Sequence, residues 1–311
     1  MERGSCLAPR RARGDNIKDF VLEIPNIGLA EGYGQSGFSI AKILQEVCEE
    51  EGLSFGISDR RTVVNCIKLE DEFLHYKDIR VDPFRESIGI FMRYALPEPK
   101  RYGAKKAIAM TMFETDSLPN EWVDALNSHN LVITPTVWGC KVFKEKLDVP
   151  VVPIPLPAGL TYYKLQNTII TQNNKFRFLI VGHYLPGDRK RLVPLIEAFH
   201  EKFKGTNAEL YVKTNLVVKF PTEVNLLELV KNKSTIVLDL NSSLTPEQMF
   251  AMYLKSHCGL FPSHGEGWGL PQSEMALLGR PLIVADNSAM ISMKEYYLWV
   301  YTSPCQSIIA D

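Results

Sequence analysis

His264-Gly265-Glu266-Gly267-Trp268-Gly269-Leu270-Pro271-Gln272-Ser273-Glu274-Met275-Ala276-Leu277-Leu278-Gly279-Arg280 is the stretch that decides the fold. Two carboxylates, Glu266 and Glu274, bracket a Gly-x-Gly-Leu-Pro turn that opens a helix. Gly265, Gly267 and Gly269 leave backbone N–H groups that a ligand can approach closely. Pro271 suits the first helical position, because its missing N–H has no helical partner there. The helix start is a site for a phosphate group. Glu266 in the loop and Glu274 in the first turns then suit a sugar nucleotide. The backbone would take the diphosphate, one carboxylate the sugar hydroxyls and the other the ribose.

Outward from this stretch, Gly259 to Pro262 reads as a strand running into the loop, and Pro281-Leu282-Ile283-Val284 as a strand leaving the helix. The whole block resembles the Glu-x7-Glu signature of retaining glycosyltransferases of the GT-B fold, in particular glycosyltransferase family 4. A second block is similar to the first βα unit of that family's donor domain. It runs Phe178-Leu179-Ile180-Val181-Gly182-His183-Tyr184, then Asp188-Arg189-Lys190, then Leu195 to Phe199. The resemblance implies that Lys190 clamps the donor diphosphate. The family's usual Arg after the Gly is replaced here by His183, and Arg189 is placed to compensate, since a guanidinium grips phosphate oxygens in a fork. The other reading of Arg189 to Arg191 is a solvated basic helix start, which the helix dipole would oppose.

The first half of the chain carries further likenesses. Thr111 to Pro119, followed by Trp122, and Thr134-Pro135-Thr136, followed by Trp138, resemble segments of the family's acceptor domain. Glu114 and Asp116 follow a strand-like run and are expected to face the cleft, one of them orienting the acceptor hydroxyl or taking its proton. An N-cap role for Asp116 or Ser117 ahead of Pro119 is the alternative. Gly32-Tyr33-Gly34-Gln35-Ser36-Gly37 lies where relatives have a Gly-rich loop touching acceptor or donor phosphate, so Gly34 and Gln35 join the candidates. Trp268 either shapes the sugar pocket or packs in the core. His264 and His183 are ligands or ordinary loop histidines.

Strand-like and helix-like runs alternate from end to end, which predicts an α/β chain with parallel sheets. Strands are expected at 20–24, 53–57, 88–92, 107–111, 131–134, 149–157, 176–182, 210–213, 235–240 and 298–302. Phe38–Glu50, Glu121–Ser128, Gly139–Leu147 and Arg189–Phe203 read as helices, the last bent near Pro194. Thr245-Pro246-Glu247-Gln248 opens another, with Thr245 as N-cap, Pro246 first in the helix and Gln248 completing a capping box. A Pro-rich link from Pro150 to Pro157 leads to a boundary near residues 157 to 175, where Pro gives way to polar Gln166-Asn167 and Gln172-Asn173-Asn174. The expected organisation is a disordered arm at 1–18, an acceptor-side Rossmann-like domain at 19–160 and a donor-binding Rossmann-like domain at 161–311. Together these make a GT-B-like pair of parallel-sheet domains facing a central cleft.

The 311 residues carry a net charge of −1, so no basic field invites nucleic acid. No apolar run approaches a membrane span, and the N-terminal residues lack the apolar core of a secretory signal. Six scattered cysteines without a Cys-x-x-Cys pair suggest neither zinc nor a disulfide framework, which makes the cytoplasm, with a peripheral membrane contact as a variant, the default setting. The resemblance implies transfer without a metal or other cofactor, from a UDP- or GDP-sugar to a glycan, lipid or protein acceptor. The chain stops soon after its last strand, as expected of a compact version, a truncation or a homo-oligomer that covers apolar surface. A non-catalytic nucleotide-sugar-binding module, or a partner subunit, is the alternative function.

Overall fold

The computed structural model of the protein describes residues 18–24, 32–59, 86–93, 103–157, 174–215, 222–241 and 244–304. Two six-stranded sheets, every pairing parallel, organise it. The first holds β1 (Phe20–Ile24), β2 (Phe55–Asp59), β3 (Ile88–Met92), β4 (Lys106–Met110), β5 (Leu131–Thr134) and β6 (Val151–Pro153), in the order β2-β1-β3-β4-β5-β6. The second holds β7 (Phe176–Val181), β8 (Ala208–Lys213), β9 (Ile236–Asp239), β10 (Cys258–Phe261), β11 (Leu282–Ala285) and β12 (Val300–Ser303), in the order β12-β11-β10-β7-β8-β9. Counted from β7, the second order is 3-2-1-4-5-6, the dinucleotide-binding arrangement, whose direction reverses between β7 and β10.

Parallel strands buried on both faces read as short apolar runs, as β3 does and as β7 does from Phe178 onward. Each sheet has its own core. Leu22, Ile57, Ile90 and Met92 anchor one, and Leu179, Ile196, Leu210, Val212, Tyr253 and Leu282 the other. Glu23 interrupts β1 with a buried carboxylate, which meets Arg93 at 2.8 Å just beyond β3. The 1–18 arm, all but its last residue, and the junction between 160 and 161 lie outside the described residues.

Three local expectations need correction. The helix α1 spans Gly32–Glu50, so Gly32, Gly34 and Gly37 belong to its first turns and not to a loop. Packing overrides the low helix propensity of glycine here. A Cβ on Gly37 would sit 2.7 Å from Ile24 Cγ2, so the missing side chain lets the helix lie close on β1. The second correction concerns the helix after β7, which runs Leu192–Phe203 and starts three residues later than predicted. Asp188 and Arg191 adopt positive φ (41° and 59°), and the Asp188 carboxylate accepts the N–H groups of Leu192 and Val193 at 2.9 Å each. Arg189 to Arg191 are therefore a turn, and Pro194 falls in the first helical turn, where it costs no hydrogen bond and gives no cause for a bend. Third, the helix Asn120–Asn127 has Pro119 at its N-cap with no side-chain cap, so neither Asp116 nor Ser117 fills that role.

The helix Pro246–Leu254 carries the predicted capping box in full, with Gln248 N–H on Thr245 Oγ1 at 3.3 Å and Thr245 N–H on Gln248 Oε1 at 2.8 Å. Thr245→Ala is expected to lower stability by about 1 kcal/mol, read as a reduced midpoint in urea unfolding with an unchanged slope.

Candidate functional site

Ligands of open α/β sheets sit outside the carboxyl ends of the strands where the strand order reverses. In the second sheet that point is flanked by the loop after β7, residues 182–191, and the loop after β10, residues 262–269. Glu266 stands at its centre, only 4% exposed. Its Oε1 accepts from Lys190 Nζ, from Ser263 Oγ at 2.7 Å and from Gln272 Nε2 at 3.4 Å; its Oε2 meets Arg189 Nη1 at 3.4 Å. Its backbone N–H donates to Ser288 Oγ at 2.9 Å. Burial opposes ionisation, but Lys190 first and Arg189 next more than offset it, so the carboxyl titrates below the ordinary carboxylate range.

The left-handed turn after β7 presents the two cations. Gly182 lets Lys190 fold over the end of β7, since a Cβ there would lie 3.0 Å from Lys190 Cγ. Arg189 donates to the Gly265 carbonyl and also meets Glu114 Oε1 at 3.2 Å, reaching across from the second half of the chain to the first. Desolvation raises the pKa of Glu114 and Glu266 adds to the rise, with Arg189 and Lys190 pulling the other way. His183 is exposed. His264 has its pKa lowered, by burial first and then by Arg191. Asp116 is exposed on the loop that carries Glu114.

The glycines of the quoted stretch serve different neighbours. A Cβ on Gly265 would overlap the carbonyl oxygen of Glu114, and one on Gly267 would overlap Met112. Their close approach in this structure is to the 112–114 segment of the chain itself. Gly269, at φ 88°, is the N-cap of the helix Leu270–Leu277, so Pro271 falls at the second helical position, one later than predicted. No side chain caps this helix and no acidic residue lies in its first turn, which leaves its positive end uncompensated. Trp268 resolves to the core reading. It is buried among Phe38, Ile57 and Met110 of the first half and packs on Tyr296, with Leu270 against the same cluster.

Glu274 is 2% exposed. Tyr253 O–H donates to its Oε2 at 2.5 Å and Gln35 Nε2 to its Oε1 at 2.5 Å. Gln35 and Gly34, expected in a loop, thus lie in the first turns of α1, and Gln35 bridges the cleft. Backbone N–H of Trp138 on Ser292 Oγ at 3.2 Å is a further crossing contact. Sequence reasoning missed Ser263, Gln272, Ser288 and Tyr253. The polar run Gln272-Ser273-Glu274 inside the helix Leu270–Leu277 was a readable signal; the approach of Ser288 was not.

No family model matches the chain, and no curated protein matches it. Among solved structures, it is similar to a glycosyltransferase from Rickettsia africae, at 13% identity over 94% of this chain and 85% of that one, with a TM-score of 0.65. HepE from Anabaena, solved in complex with UDP and glucose, matches at 11% identity over 92% and 86%, with a TM-score of 0.58. A chain of the GtfA/B complex matches at 15% identity and a TM-score of 0.52 over 77% of this chain, which spans 49% of that chain's length. These likenesses establish the fold as α/β with two Rossmann-like halves, the GT-B arrangement.

Lys190→Met removes the nearest cation from a buried carboxylate and is expected to cost about 2–4 kcal/mol at neutral pH, Arg189 remaining. Because the folded pKa of Glu266 lies below its unfolded value, the pair adds stability above the ordinary carboxylate range and loses it as pH falls through the lowered value. The gap between wild type and variant in chemical denaturation should therefore narrow on acidification. Gly265→Ala should lower the melting temperature by pushing the 112–114 segment away, at a cost of about 1–3 kcal/mol.

Proposed function

We propose that the protein is a glycosyltransferase that moves a sugar from a nucleotide-diphospho-sugar to an acceptor hydroxyl, with retention of configuration and without a metal. One observation carries this reading. Two cations, a buried ionised carboxylate and an uncapped helix N-terminus converge where the strand order of a dinucleotide-type sheet reverses. The fold shared with HepE, which was solved with UDP and glucose, brings the UDP-sugar class forward as donor; a GDP-sugar is the other candidate.

In the proposed mechanism the donor diphosphate lies against the backbone of Gly267 to Leu270, with Lys190 and Arg189 on its oxygens. As the bond between the anomeric carbon and the diphosphate breaks, the leaving group gains negative charge, and these fixed donors stabilise it without reorganising. Glu266 accepts from hydroxyls of the donor sugar, and Glu274 from the ribose. The acceptor oxygen bonds to the anomeric carbon on the face the diphosphate leaves. Its proton passes to a diphosphate oxygen or to Glu114, whose raised pKa suits a proton acceptor. No protein nucleophile takes part. The acceptor is a glycan, lipid or protein hydroxyl, and the setting is the cytoplasm or the cytoplasmic face of a membrane.

A nucleotide-sugar-binding module without turnover is the second reading. It is favoured by His183, which stands where the resembled family carries an arginine.

Thermal-shift measurements with UDP, GDP, ADP and their sugar conjugates test the proposal, wild type beside Glu274→Ala. Ligand binding raises the melting temperature by mass action. A selective shift for one base is expected, weakened about two- to fivefold in apparent affinity in the variant, the scale of a net hydrogen bond, since the ribose hydroxyl takes the place of Gln35 on Glu274. Equal shifts in both proteins would remove the ribose role. Binding without release of free nucleotide diphosphate, across glycan, lipid and peptide acceptors, would support the module.

A further inference from the structure

Between the two glutamates of the quoted stretch lies a buried amide that the proposed mechanism does not use. Gln272 is 1% exposed. Its neighbour Ser273 is also buried, but the Ser273 hydroxyl donates to the Gly269 carbonyl at 3.0 Å and is accounted for within the helix. Gln272 is only half accounted for. Its nitrogen reaches Glu266 Oε1 at 3.4 Å and Met290 Sδ at 3.8 Å, while its carbonyl oxygen has no donor.

Chemistry decides which end of this amide faces which way. Glu266, gripped by Lys190 and Arg189, is ionised, and an ionised carboxylate only accepts. The NH2 end must therefore face it, and the carbonyl end is left over. That carbonyl lies beside the uncapped helix start, 3.0 Å from where a Cβ on Gly269 would stand. A buried carbonyl without a donor costs folding free energy, whereas an apolar side chain of similar volume would cost none. The three donors on Glu266 Oε1 also leave Oε2, met by Arg189 alone among its hydrogen-bond partners, as the oxygen best able to take another hydrogen bond.

We infer that Gln272 is a specificity-determining residue of the donor site. Its carbonyl oxygen accepts from one ring hydroxyl of the donor sugar, while its amide nitrogen holds Glu266 for a neighbouring hydroxyl. The inference rests on the donor site proposed above and adds to it the group that reads the sugar. Two acceptors joined by a hydrogen bond select a sugar with two hydroxyls in the matching relation and reject one lacking either, because the site's acceptor is then left unpaired.

Calorimetric titration of the full chain separates this role from the rest of the site. The probes are UDP, UDP-glucose and UDP-glucose analogues lacking one ring hydroxyl each, with GDP and GDP-mannose as a parallel series. In Gln272→Leu, affinity for the bare nucleotide should stay within about twofold, while the gain in affinity conferred by the sugar should fall about 3- to 10-fold. One deoxy analogue should bind correspondingly less well to wild type and suffer no further loss in the variant. Gln272→Met, closer in shape and volume, serves the same comparison if the leucine variant does not fold. Nucleotide binding with an unchanged sugar gain overturns the role of Gln272 and leaves the donor site standing. Failure of wild type to bind any nucleotide or sugar conjugate overturns both.

Discussion

A carboxylate enclosed at the carboxyl end of a parallel sheet must be supplied with positive charge, and much of this structure is the means of supplying it. Glu266 is held by Lys190 and Arg189, which stand on a loop 76 and 77 residues earlier in the chain. That loop reaches it because Asp188 and Arg191 take left-handed backbone conformations, and Asp188 repays the strain by capping the following helix. The capped helix start is thereby occupied by the chain's own carboxylate, whereas the one at Leu270 has no side-chain cap and no acidic residue in its first turn. Buried ion pairs are not an economical source of stability, because desolvation consumes most of the Coulomb gain. A well-packed apolar group would serve this position as well for folding alone, so the worth of the arrangement lies in having two cations and an ionised acceptor preorganised at one point.

The same loop holds the two halves together. Gly265 and Gly267 have no side chains in the space that Glu114 and Met112 occupy, and Trp268 and Leu270 enter the apolar cluster of the first sheet. Arg189 ends on both Glu266 and Glu114. Binding chemistry and interdomain packing therefore share one segment of backbone.

Much of the architecture was legible because its signals are local. The buried strands are short apolar runs, and the Thr245-Pro246-Glu247-Gln248 start follows from side-chain capping within four residues. The pairing of Lys190 with Glu266 was legible only as proximity in a shared site, through resemblance and through the rule that places loops at the carboxyl ends of strands. The start of α1 was misread because Gly34 and Gly37 have low intrinsic helix propensity, while the deciding contact, Gly37 on Ile24, is tertiary. The turn at Arg189 to Arg191 was misread because nothing in a basic run announces positive φ. Gln35, Tyr253 and Ser288 come to the glutamates from distant elements, and no spacing in the chain encodes those meetings.

Glu274 shows what such a meeting implies for binding. An ionised carboxylate offers about four lone-pair sites, and Gln35 and Tyr253 take one on each oxygen. Tyr253 is fully buried and belongs to the same half as Glu274, whereas Gln35 comes from the other half. A ribose hydroxyl arriving at Glu274 thus exchanges with a neutral N–H donor of comparable strength and gains little from that contact alone. In the proposed donor site, affinity would then come from the diphosphate on Lys190, Arg189 and the helix start, and Glu274 would select for a hydroxyl-bearing ring more than it adds tightness.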